Sequence, residues 1–215
     1  LASQRYNYLL LLLIALFLLS PFWHDKIGRF IHDIFLFLAI LAIIDAFHVK
    51  QKIHKLFYRI LALFVLLLDT IIWFELVPKN FILICLNALI ETGFLGIAIY
   101  MILKHIFFED RVTQDTVKGG ITVYLLMGII FAILYRAIHL FSPQSFYLPF
   151  AAQNSTFDPF YFSFLTLTTV GYGDIVPISP LVRVLTNLEG INGILYPATI
   201  IARLVSLYII HDNKS

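Results

Sequence analysis

Between Thr166 and Asp174 the chain reads TLTTVGYGD, setting two glycines and a row of threonines in strongly apolar surroundings. Glycine lacks a Cβ and admits backbone conformations that other residues avoid. Gly171 and Gly173, on either side of Tyr172, therefore predict a segment whose carbonyls turn in an unusual direction. The chemistry open to such a segment is coordination by backbone oxygen. If four copies meet on an axis, rings of carbonyls from Thr169, Val170, Gly171 and Tyr172, with the Thr169 hydroxyl, replace the water shell of a dehydrated cation. Val170 and Tyr172 then direct their side chains away from the axis into packing. One chain supplies one strand, so this reading implies a homotetramer.

Composition says what surrounds that strand. Of 215 residues, 60% are hydrophobic and 13% charged, and the mean hydropathy is +0.91. A soluble domain of this size could not bury that much apolar surface, which places the chain in a bilayer. A net charge of +2 is too small to argue for nucleic acid, and the single cysteine, Cys85, excludes an intrachain disulfide. No pattern for a small-molecule substrate stands out.

About 20 apolar residues in a helix cross a hydrocarbon core. Six segments qualify: Tyr8 to Phe22, Phe30 to Phe47, Leu56 to Val77, Phe81 to Leu103, Ile121 to Phe141 and Leu181 to Ile210. Between the last two lies FDPFYFSFLTLTT, too short to span and read as a re-entrant helix, with Asp158 as N-cap and Pro159 as first helical residue. Irregular backbone at membrane depth is tolerated only where it is buried in protein or lines a watery cavity. TVGYG therefore lines a cavity, and the re-entrant helix aims its partly negative C-terminal end at it. The fold expected is all-α: a four-helix sensor-like module over 1–103, a cytoplasmic linker over 104–120, and a pore module over 121–215. Arg5, Lys50, Lys52, Lys55, Arg59, Lys104, Arg111, Lys118 and Lys214 fall on one side, against Lys26, Arg29 and Lys79 in loops on the other. Both termini are thus expected in the cytoplasm of a multi-pass cell-membrane protein, whose basic loop around His48 and His54 is a candidate for contact with anionic membrane lipids.

TTVGYGD, Thr168 to Asp174, resembles the signature of potassium channels. The stretch TTVGYGDIVPISPLVRVLTNLEGINGILYPATIIARLVSLYI is similar to the filter and inner helix of the prokaryotic potassium channel family, and RVTQDTVKGGITVYLLMGIIFAILY to its linker and outer helix. The resemblance implies potassium as the permeant ion, a filter of Thr169, Val170, Gly171, Tyr172 and Gly173, a fourfold pore and no catalysis. It also implies support for the filter from Thr168, Tyr161, Phe162 and Asp174, with Tyr161 donating a hydrogen bond to Asp174, and it matches Gly193 to the glycine at which inner helices bend. The chain departs from the family at Leu165, where some members carry a glutamate behind the filter, and at Tyr161 and Phe162, where many carry paired tryptophans.

Four helices before a pore pair resemble a voltage-sensing module, yet FILICLNALIETGFLGIAIYMIL holds no arginine or lysine. Steep voltage dependence requires charge to move through the field. Asp69 and Glu91 are the acidic residues at membrane depth, candidates for proton or cation sensing or, alternatively, for pairing with Asn87, Thr70 or Thr92. Gly190, Gly193 and Pro197 loosen or kink the last span, either as a gating hinge or as close packing. The function expected is passive potassium conduction. A potassium-uptake subunit and a non-conducting membrane sensor or scaffold stay open as alternatives.

Overall fold

The computed structural model describes residues 6–19, 26–46, 52–74, 80–108, 112–148 and 157–212. They form seven α-helices: α1 Asn7–Leu19, α2 Lys26–Ala46, α3 Lys52–Trp73, α4 Phe81–Phe108, α5 Gln114–Phe141, α6 Pro159–Leu167 and α7 Pro180–Asp212. After α5 come a 3-10 turn, Pro143–Ser145, and a two-residue strand, β1 Phe146–Tyr147; β2 Val176–Pro177 pairs with it antiparallel. The all-α expectation holds apart from this short ladder. The chain divides into two compact units, Leu1–Met101 and Ile102–Ser215, with α4 running from the first into the second.

In the first unit α1 packs on α2 and α2 on α3. Leu9, Leu13 and Leu16 recur at helical spacing on the buried face of α1, and Leu36, Ala39, Ile40 and Ile43 do the same on α2. The opposite faces are equally apolar: Tyr8, Leu11 and Leu18 on α1 and Leu56, Leu63 and Leu67 on α3 stand exposed. Helices apolar all round belong in an apolar solvent. Asp69 of α3 and Asn87 and Glu91 of α4 are buried among these faces. The Asn87 amide donates to Asp69 Oδ1 at 2.9 Å and to Glu91 Oε1 at 3.3 Å. Of the pairings expected for the two acids, this is the Asn87 one; the Thr70 and Thr92 hydroxyls donate instead to their own helices' carbonyls, of Leu66 and Ala88.

In the second unit α5, α6 and α7 pack on one another. Among the described residues, α4 and α5 are long and apolar enough to cross a membrane. α7 is longer but carries Arg183, Asn187, Glu189, Asn192 and Arg203. The linker expected over 104–120 is mostly helical. α4 continues to Phe108, and α5 starts at Gln114 behind an N-cap, Thr113, whose side chain accepts from the Thr116 N–H while Thr116 Oγ1 accepts from the Thr113 N–H. Thr113 and Thr116 form a reciprocal cap, and Asp115 lies in the first turn of α5. Arg203 Nη2 donates to the Phe107 carbonyl at 2.7 Å, finishing the C-terminal turn of α4. Arg5, Lys50, Lys79, Arg111 and Lys214 lie outside the described residues.

Candidate functional site

Asp158 caps α6 as its sequence suggests: the side chain accepts from the Phe160 and Tyr161 N–H groups at 3.0 Å each, with Pro159 at the first helical position. Two glycines let this helix seat itself. A Cβ on Gly128 of α5 would lie 2.6 Å from the Phe164 ring, and one on Gly193 of α7 would lie 1.9 Å from the Leu167 carbonyl oxygen. Neither position admits a side chain without displacement. Tyr124 of α5 also donates to the Leu167 carbonyl at 3.2 Å, so the C-terminal end of α6 is held from both sides.

Beyond α6 the backbone changes character. The Leu165 carbonyl accepts from the Val170 N–H at 2.9 Å and the Gly171 N–H at 3.3 Å, tying the strand back to the helix it leaves. Thr169, Gly171 and Gly173 have positive φ, 60°, 52° and 79°, and Val170 and Tyr172 between them do not. A left-handed β-branched residue is a strained outlier, and the alternation of sign turns successive peptide units by opposite twists. Val170 is 49% and Tyr172 74% exposed within one chain, so neither has found its packing partner there. Thr168 Oγ1 donates to the Phe164 carbonyl at 2.6 Å, which completes the last turn of α6.

The Tyr161 hydroxyl donates to Asp174 Oδ2 at 2.7 Å, the pairing expected for these two residues. Accepting that hydrogen bond is the main way Asp174 pushes the tyrosine up to about 12, so Tyr161 remains a donor throughout the neutral range. Phe162 takes a different place. It is buried beside Tyr135 and Phe146, at ring-centroid distances of 4.9 and 5.5 Å in edge-on geometry, with Val182 in the same core. This core joins α5, α6, α7 and the β1–β2 ladder rather than touching the strand by hydrogen bonds.

Gly190 has open space where a Cβ would stand. α7 is helical straight through Pro197, whose missing N–H leaves the Gly193 carbonyl without its usual helical donor. Gly193 lies close against the end of α6.

Glu189 is absent from the expectations above. It is fully buried on α7, accepts from the Tyr135 hydroxyl at 2.6 Å and is hydrogen-bonded to Ser163 Oγ of α6, which also donates to the Gly128 carbonyl at 2.7 Å. The available signal was an acid in the body of α7, four residues before Gly193. Asp69 and Glu91 belong to the first unit.

Over residues 54–209 the chain matches the profile of a family described as ion channel. It is 36% identical over 73 residues to the inward rectifier potassium channel Kirbac3.1 of Paramagnetospirillum magnetotacticum, covering 34% of this chain and 23% of the relative. It is 31% identical over 100 residues to the two-pore potassium channel 4 of Arabidopsis thaliana, covering 46% of this chain and 34% of the relative. The chain therefore spans about a quarter to a third of the length of these curated relatives, and no solved structure matches it significantly. With the family profile extending over more than half of its length, the chain belongs to the ion channel family.

Proposed function

We propose that four copies of this chain form a potassium-selective pore through the cell membrane, with Thr169, Val170, Gly171, Tyr172 and Gly173 as the filter. The observation that carries this reading is the alternation of backbone sign from Thr169 to Gly173, directly after a capped helix whose carboxyl end points into the strand's start. Alternating conformations let consecutive carbonyls face one side, the arrangement needed to replace a cation's hydration shell. The exposed Val170 and Tyr172 side chains are then covered by neighbouring copies. Potassium is the ion named by both relatives. The pore needs no catalytic residue and no cofactor beyond the permeant ion.

In this reading α1 to α5 and α7 cross the membrane, α6 re-enters from outside, and both termini are cytoplasmic. Residues 1–103 form the sensor-like module and 121–215 the pore module, with the filter supported by Thr168, Tyr161, Phe162 and Asp174.

Reconstitution into lipid vesicles and planar bilayers tests it: discrete openings that reverse at the potassium equilibrium potential are expected. Gly171→Ala is the sharpest variant. Its Cβ meets nothing within 4 Å in one chain, so the cost comes from φ +52° alone, about 1–2 kcal/mol in each copy. Conduction or selectivity should collapse while the tetramer survives. Selective conduction retained in Gly171→Ala would remove these residues from the pathway, and silence of the wild type would favour a non-conducting sensor or scaffold.

A further inference from the structure

Ser163, fully buried on α6, stands between two oxygens. Its Oγ lies 2.7 Å from the Gly128 carbonyl oxygen of α5 and within hydrogen-bond distance of Glu189 Oε1 on α7. A serine hydroxyl has one hydrogen to donate, and a carbonyl oxygen only accepts. The serine hydrogen therefore belongs on the Gly128 side. The contact between Ser163 Oγ and Glu189 Oε1 then needs a second hydrogen, and the carboxyl is the group able to bring it. On the other side the Tyr135 hydroxyl donates to Glu189 Oε2 at 2.6 Å.

We propose that Glu189 is a proton-binding site of the pore unit, a neutral carboxylic acid that closes a Tyr135, Glu189, Ser163, Gly128 hydrogen-bond chain across α5, α6 and α7. Every oxygen is then satisfied: Tyr135 donates to Oε2, the acid hydrogen on Oε1 donates to Ser163, and Ser163 donates to Gly128. A carboxylate in the same place would set lone pairs of Oε1 and Ser163 Oγ against each other.

The groups hydrogen-bonded to Glu189 are Ser163 of α6 and Tyr135 of α5. The one titratable side chain of α6 itself is Tyr161, engaged with Asp174. On α7, Arg183 donates to the Pro177 carbonyl and Arg203 to the Phe107 carbonyl.

Infrared spectroscopy of the full chain in lipid vesicles tests the assignment, and it needs no conduction, so it stands or falls apart from the potassium reading. At neutral pH the wild type should show a protonated-carboxyl C=O stretch that is lost in Glu189→Gln. Ser163→Ala, which removes the acceptor of that proton, should shift the same band to higher frequency. If Glu189→Gln fails to assemble, the Ser163→Ala shift decides. A wild-type spectrum without an acid band, a band unchanged in both variants, or loss of a carboxylate band in Glu189→Gln would each overturn the proposal.

Discussion

Tyr161 and Asp174 stand on either side of the proposed filter, and their 2.7 Å contact is a direct hydrogen bond from α6 to the residue that follows that segment. Tyr161 is 36% exposed in one chain, so the bond is worth less than a buried charge-assisted one. Losing it should cost about 1 kcal/mol, roughly fivefold in an equilibrium between conducting and collapsed forms. Tyr161→Phe, which deletes only the hydroxyl, is expected to leave folding and assembly intact and to shorten filter openings by about that factor. Asp174→Asn should do much the same. Single-channel open times check both, and wild-type open times in the pair would show that the filter is held elsewhere. The sign of any pH effect follows from the tyrosine. Its neutral form is favoured by the fold, so its contribution is complete below its ordinary value of about 10 and lost only as pH rises through about 12. This pair was legible in the sequence because both residues sit at fixed offsets from one motif. Glu189 was not, because burial and contact with Ser163 and Tyr135 are tertiary facts, 26 and 54 residues away along the chain.

At the scale of elements, what could be read was local. The start of α6 follows from Asp158 and Pro159, neighbours in sequence, and the helical course of α4 and α5 follows from long apolar runs. What could not be read was where α6 would touch α7. Gly193 reads equally as a hinge or a packing point in sequence, and its contact with the Leu167 carbonyl, contributed by another helix, is visible only in the fold. The polar run before α5 was similarly ambiguous, since threonine and aspartate serve loops and helix caps alike. The two glycines of α7 give opposing expectations. Gly193→Ala forces a Cβ onto backbone and should destabilise each chain by about 1–3 kcal/mol, seen as a lower unfolding temperature of the assembled protein. Gly190→Ala meets nothing within 4 Å and removes a helix-interior glycine, so it should be neutral or stabilising by up to about 1 kcal/mol. If the two variants unfold alike, the Leu167 contact does not hold α6 in place.

For the whole molecule, the question is what a unit whose α4 holds no arginine contributes to the proposed pore. α4 runs from Phe81 to Phe108 with no arginine and with its first lysine at Lys104, in the last turns. Where a voltage sensor would carry positive charge, this helix carries Asn87 and Glu91, and Asn87 bonds both Glu91 and Asp69. Moving one charge across the membrane is worth about 2.3 kcal/mol per 100 mV, and steep gating takes about 3–4 charges in each subunit. The amide at position 87 has none to move. Two buried acids gathered on one amide form a link between α3 and α4 that a translating helix would have to break. The first unit is therefore expected to brace or tune the pore rather than to drive it by voltage. Planar-bilayer recordings across voltage should show open probability changing shallowly, with a gating charge far below that of a true sensor. Asn87→Leu, which severs both bonds and leaves Asp69 and Glu91 buried without their shared partner, should lower the stability of the first unit without steepening that dependence. A steep activation curve in the wild type would overturn this account and make Asp69 and Glu91 the first charges to examine.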